Sequence, residues 1–218
     1  MSKIIEEAGS HGTHLTKGDR VAMEPGAGIA TAAKKADTIF ALKIKFFATP
    51  PDHGSLADQN VHLGDLCFKL RENMSLEEGA MCEPLSVAGS IELVALLVTR
   101  SFSAPSVVAN IDDYLLSVAK KLGAFGTVKV SSEIEDVEIE VEKIPKAMTL
   151  SVDASLDCAG FNKTLTTALS ATRNGGKVCL VGMGHCDMTL PLTPVASREV
   201  DILGIFRYKN TWPQCIKC

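Results

Sequence analysis

The sequence has no excess of positive charge: 22 Lys and Arg stand against 26 Asp and Glu, a formal net charge of -4. Polyanion partners need clustered basic side chains on one face, so nucleic acid is excluded as an expected ligand. Long apolar runs are also missing, which removes a membrane-spanning helix. The opening residues, Met1-Ser2-Lys3-Ile4-Ile5-Glu6-Glu7, lack the apolar stretch and small-residue cleavage site of a secretory leader, so a cytoplasmic location is expected. Paired cysteine spacing is absent except in the terminal Cys215-x-x-Cys218, and the seven cysteines read as free thiols of a reducing compartment. Cys158 and Cys179 sit in apolar runs and read as small core residues.

What is present is the composition of a folded globular chain, with 46% hydrophobic and 22% charged residues in 218. Residues 18–24 read as a strand ended by Pro25-Gly26, and 59–70 alternates as a strand. Ala27 to Ala41 has a helical composition, and Phe46 to Pro51 is extended because residues before proline avoid the α region. Ser75 followed by Glu78 has the form of a capping box, so a helix starts there.

Beyond Pro105, short β-branched runs alternate with helical segments. The runs are 107–109, 127–130, 152–158, 177–182 and 200–206; the helices are 112–122, 133–148 and 161–173. Such alternation implies a parallel sheet with helical crossovers. The acidic stretch 131–143 satisfies both periods and is read as helix, its glutamates forming a solvated face. Asp112 is placed to cap the helix that follows it. His53, His62 and His185 have no assignable partner and read as loop or surface residues, as do His11 and His14 beside Gly9 and Gly12.

Several longer stretches carry a family resemblance. They are Lys17 to Gly26 (KGDRVAMEPG), Phe46 to Pro51 (FFATPP), Glu77 to Val87 (EEGAMCEPLSV), Asp157 to Lys163 (DCAGFNK), Gly176 to Gly182 (GKVCLVG) and Arg198 to Pro213 (REVDILGIFRYKNTWP). From about Ile4 to Cys218 the chain resembles plant-type sorbitol dehydrogenases of the zinc-dependent medium-chain alcohol dehydrogenase family. The resemblance implies an α/β fold: a partial Rossmann-type parallel sheet with a fragment of the β-rich, GroES-like catalytic domain. It divides the chain into a catalytic-domain fragment at 1–87, an incomplete NAD-binding domain at 88–204, and a truncated return at 205–218. The implied reaction oxidises a small polyol to a ketose, with hydride passing to NAD and a catalytic zinc as Lewis acid.

The family pattern also locates the site. It makes Glu83 of the Glu-Pro-Leu-Ser-Val segment the catalytic and metal-facing carboxylate, also touching substrate, and the one zinc-site residue retained. Catalytic zinc needs three protein ligands and an open position. Ala27 to Asp37 has no cysteine where relatives hold a structural zinc, so none is expected. For NAD the resemblance assigns Gly89, Ile91, Asn110, Val181, Gly182, Met183, Ile205, Phe206 and Arg207, and for substrate Arg207 and Tyr208.

The join at Val87-Ala88 departs from the family pattern. A strand that should separate Glu-Pro-Leu-Ser-Val from Ala-Gly-x-Ile is missing, and of three fingerprint glycines only Gly89 is kept, with Val87 and Glu92 in the other two places. A carboxylate at Glu92 repels phosphates, and Asn110 stands where a ribose-binding Asp is expected. Two outcomes follow. One is a polyol dehydrogenase. The other is an inactive remnant or mis-joined gene model, at most a homo-oligomer or an assembly partner of full-length relatives.

Overall fold

The computed structural model describes residues 1–10, 14–27, 45–48, 50–86, 92–205 and 211–217. Two compact units form, one from Met1–Val87 with Arg207–Cys218, the other from Ala88–Phe206.

In the first unit β1 (Ser2–Ile4), β2 (Arg20–Met23) and, further on, β5 (Cys67–Lys69) make an antiparallel sheet with β2 in the centre. A shorter ladder joins β3 (Gly26–Ala27) to β4 (Lys45–Phe46). Successive side chains of a strand face opposite ways, and both faces of β2 are covered. Val21 and Met23 pack with Leu15 and Cys67 on one side, Ala22 with Cys82, Trp212 and Ile216 on the other.

The strand expected over 59–70 shrinks to β5, preceded by a single 3-10 turn at Gly64–Leu66. Its alternating Val61 and Leu63 are exposed, and the four-residue β2 offers no longer partner. The extended reading of 46–51 holds only through β4, because a turn follows in which Ala48 takes a positive φ of 58°. The helix expected within 27–41 lies outside the described residues from position 28 on.

The Ser75 capping box is present. Glu78 N donates to Ser75 Oγ at 3.1 Å and Ser75 N to Glu78 Oε2 at 2.8 Å, starting α1 (Leu76–Ala80). After Met81 the chain continues into α2 (Cys82–Ser86), which carries Glu83.

The second unit runs α3 (Glu92–Ser101), β6 (Val107–Asn110), α4 (Asp113–Lys121), β7 (Gly126–Lys129), α5 (Val137–Met148), β8 (Ala154–Asp157), α6 (Asn162–Ala171), β9 (Lys177–Leu180), α7 (Leu192–Ser197) and β10 (Asp201–Gly204). The ladders are parallel, as alternation of strand and helix requires. They come in two pieces, β6 with β7 and β8-β9-β10, and among the described residues no ladder joins β6 to β8. Leu165, Leu169, Val178, Val195 and Val200 form one core, and Leu96, Val108, Leu116 and Ala119 another.

Helix wins over strand at 137–148 because Val137, Val141 and Ile144 turn inward while Ile139 is exposed. The solvated acidic face is corrected at one residue. Glu133, Glu135, Glu138 and Glu142 are exposed, but Glu140 is buried against Lys163 of α6. Its Oε1 accepts Ser131 N at 2.7 Å, and Lys163 Nζ donates to Ser131 O at 2.7 Å. A charge taken out of water has to be paired and hydrogen-bonded, which is what this closed triangle supplies.

Candidate functional site

In an open parallel sheet ligands bind beyond the carboxyl ends of the strands. Here those ends carry Asn110 on β6, Asp157 on β8 and Val181-Gly182 after β9, with Glu92 at the start of α3. Asn110 Nδ2 donates to the Glu92 carboxylate, while its Oδ1 accepts Asp112 N at 2.8 Å, so both ends of the amide are engaged. Asp112 caps α4 as expected, Oδ1 accepting Tyr114 N at 2.7 Å and Leu115 N at 3.2 Å. Burial pushes the Glu92 carboxyl up, and the Asn110 bond holds part of that back. Burial, then the charges of Glu92 and Asp157, push the half-buried Cys158 thiol up to about 12. A thiol held protonated in this way is a poor nucleophile.

The turn after β8 is held by Asp157. Its Oδ1 accepts Ala159 N and Gly160 N, each at 3.2 Å, and its carbonyl accepts Val181 N at 3.0 Å and Gly182 N at 2.8 Å. The buried Oδ2 has no partner among the described residues. Two backbones meet here without room for side chains: a Cβ on Gly182 would lie 2.3 Å from the Ala159 carbonyl carbon and 2.4 Å from Gly160 N. Gly182→Ala is therefore expected to cost about 1–3 kcal/mol through forced separation of these turns. Gly204→Ala, whose Cβ meets nothing within 4 Å, should leave the melting temperature unchanged in the same calorimetric comparison.

Of the remaining expected cofactor residues, Val181 and Gly182 are buried at this close approach, while Met183 and Ile205 are exposed. Gly89, Ile91, Phe206, Arg207 and Tyr208 lie outside the described residues.

In the first unit Glu83 is half-buried on α2, next to the fully buried Cys82. The Met1 amino group is lowered by burial, partly offset by the charges of Glu83 and Cys82. Among the described residues no three His, Cys, Asp or Glu side chains converge as metal ligands. The described donor set therefore does not fit a catalytic zinc, which requires three.

His62 is not the unpartnered loop residue expected. Its Nε2 lies 2.8 Å from Glu24 O, and its ring centroid lies 4.9 Å from that of Phe47. His185 is an exposed loop residue as expected, its ring edge-on to Phe161 with centroids 4.9 Å apart.

Glu24 is a feature the sequence reading missed, although a carboxylate continuing the apolar run of β2 is a signal. Burial raises it from 4.5 to about 7. A carboxyl raised on folding adds stability below its unfolded pKa and loses it as pH rises through the folded value. The first unit should thus weaken between about pH 4.5 and 7, by about 1–2 kcal/mol after solvent screening, and Glu24→Gln should flatten that slope in denaturant titrations. Burial lowers His62, so its contribution is lost in the opposite direction, as pH falls below the ordinary histidine range.

Residues 92–218 match the zinc-binding dehydrogenase family model. The chain belongs to that family. Over 237 aligned positions it is 54% identical to a sorbitol dehydrogenase of Arabidopsis thaliana, covering 98% of this chain and 65% of that protein. It is 50% identical to an L-idonate 5-dehydrogenase of Vitis vinifera, with the same coverage. A zinc-binding dehydrogenase from Sinorhizobium meliloti, solved with NADP, has the same fold at a TM-score of 0.84 and 20% identity, over 99% of this chain and 70% of that one. The chain thus spans about 65% of the length of the curated relatives it matches. The 237-position alignment exceeds the 218 residues available. The Arabidopsis relative therefore carries residues inside the aligned span that this chain lacks.

Proposed function

We propose that this chain descends from a polyol oxidoreductase of the sorbitol dehydrogenase type, and that as it stands its dinucleotide site is occupied by its own side chains. The family reaction takes a secondary alcohol of a small polyol to a ketone with hydride transfer to NAD. In this reading residues 1–87 are a catalytic-domain fragment, 88–204 an incomplete NAD-binding domain, and 205–218 the return to the first. By the family pattern Val181, Gly182, Met183, Ile205, Phe206 and Arg207 are assigned to the nicotinamide side, Gly89 and Ile91 to the pyrophosphate turn, Asn110 to the ribose, and Glu83, Arg207 and Tyr208 to the polyol.

The observation that carries the proposal is the bond between Glu92 and Asn110. A pyrophosphate needs free amides and no like charge at the start of α3, and a ribose needs an unengaged acceptor at the end of β6. Here the Glu92 carboxylate takes the first place and holds the Asn110 amide group, whose acceptor Oδ1 is already engaged by Asp112 N. No step is assigned through zinc, because the described ligands do not assemble one. A cytoplasmic setting accords with free thiols, and no helix among the described residues is long and apolar enough to cross a membrane.

Calorimetric titration with NAD tests the reading. The unmodified chain should bind at least about tenfold more weakly than Glu92→Gly combined with Asn110→Asp, since relief of one buried like-charge contact is worth about 1–3 kcal/mol. Equal affinity in the two, or sorbitol-dependent NADH formation with stoichiometric zinc in the unmodified chain, overturns it.

A further inference from the structure

β6 and β8 each use only one hydrogen-bonding edge among the described residues. On β6 the carbonyls of Ser106 and Asn110 accept Phe125 N and Val130 N at 2.9 and 3.1 Å, so the even-numbered residues face β7. On β8 the carbonyls of Asp153 and Asp157 accept Lys177 N and Val181 N, both at 3.0 Å, so the odd-numbered residues face β9. Peptide groups along a strand point alternately to its two edges. Val107, Ala109, Ala154 and Leu156 therefore aim their N–H and C=O groups away from β7 and β9, where no described strand receives them.

These two open edges end close together. The Glu92 carboxylate takes a hydrogen bond from Asn110 at the end of β6, and its charge acts on Cys158 just beyond β8. In the doubly wound order the strands on either side of the middle one run in the same direction. A central strand of a parallel sheet is covered on both faces, yet Leu156 is 43% exposed and Ala109 and Ala154 are exposed too. In the doubly wound order 3-2-1-4-5-6, two pieces of two and three strands are what remains when the middle one is taken out.

We propose that the space between β6 and β8 receives one extended apolar strand from a polypeptide other than a second copy of this chain, added parallel to both and hydrogen-bonded to Val107, Ala109, Ala154 and Leu156. The fitting segment is a continuous β-branched run without proline, because a central parallel strand takes that composition and both its edges meet peptide groups. The proposal concerns the sheet and does not depend on whether NAD binds.

Amide hydrogen exchange on the full chain tests it, with a hexapeptide of sequence 177–182 (KVCLVG) as the apolar probe. Exchange at Val107, Ala109, Ala154 and Leu156 should slow at least about tenfold with saturating peptide, as expected when open edges become paired. The sheet formed by β1, β2 and β5 should not change. The same peptide with proline in its third position should protect nothing. Leu156→Pro removes an N–H that β9 does not use, so it should keep the β8-β9 ladder and lose peptide protection; if that variant does not fold, the proline peptide still decides. Unchanged exchange at the four amides overturns the proposal, as does full protection in the free chain or protection confined to Ile202 and Leu203 of β10. Protection that grows with protein concentration and no peptide also overturns it, by making a second copy the occupant.

Discussion

Lys163→Met should cost the second unit about 3–5 kcal/mol, the usual loss when one partner of a buried ion pair is removed. The side chains of Lys163 and Glu140 are only 10% and 3% exposed. Lys163 also donates to Ser131 O, and Glu140 also accepts from Ser131 N. Methionine conserves the aliphatic stem but leaves a carboxylate without its cation, between α5, α6 and the end of β7. In denaturant titrations followed by far-UV circular dichroism, the second-unit transition should move to a much lower midpoint. The double variant Lys163→Met with Glu140→Leu should recover most of the loss, because it removes the stranded charge along with its partner. A single variant as stable as the double would show that Glu140 is not desolvated in solution.

Trp212→Ala should have a comparable effect on the first unit, about 3–5 kcal/mol. Trp212 is 1% exposed, belongs to the core cluster of Ala22, Cys82 and Ile216, and stacks on Phe68 with centroids 6.0 Å apart. Its loss opens a cavity beneath α2, the helix that carries Glu83, and beside the central strand β2. Trp212→Phe, which keeps the stack and part of the volume, should cost appreciably less. Because this is the chain's single tryptophan, the measurement belongs to calorimetry or circular dichroism. A change below about 1 kcal/mol would place the 211–217 segment outside the cooperative unit.

Much of the architecture was legible because its causes are local. The reciprocal bonds of Ser75 and Glu78 span three residues, and the Asp112 cap spans two or three. β-branched runs separated by helical periods marked the strands at 107–110, 126–129, 154–157, 177–180 and 201–204. Missed features depend on partners distant in the chain. Glu140 looks like its exposed neighbours until Lys163, 23 residues on, is folded against it. His62 and Glu24, 38 apart, gave no local sign of meeting. The failure at 59–70 has the same origin, since alternation promises a strand only where a neighbouring strand exists to pair with it.

Sequence alone settled the alternation of strand and helix in the second unit, the caps at Ser75 and Asp112, and membership of a dehydrogenase family, since hydrophobic period, capping chemistry and long identical stretches are read along the chain. Tertiary structure decided that the parallel ladders of the described residues stand in two pieces, that Glu92 and Asn110 bind one another at the carboxyl end of β6, and that one glutamate of an acidic helix is buried with a lysine. These are distances between residues far apart in order, and packing, not local preference, sets them.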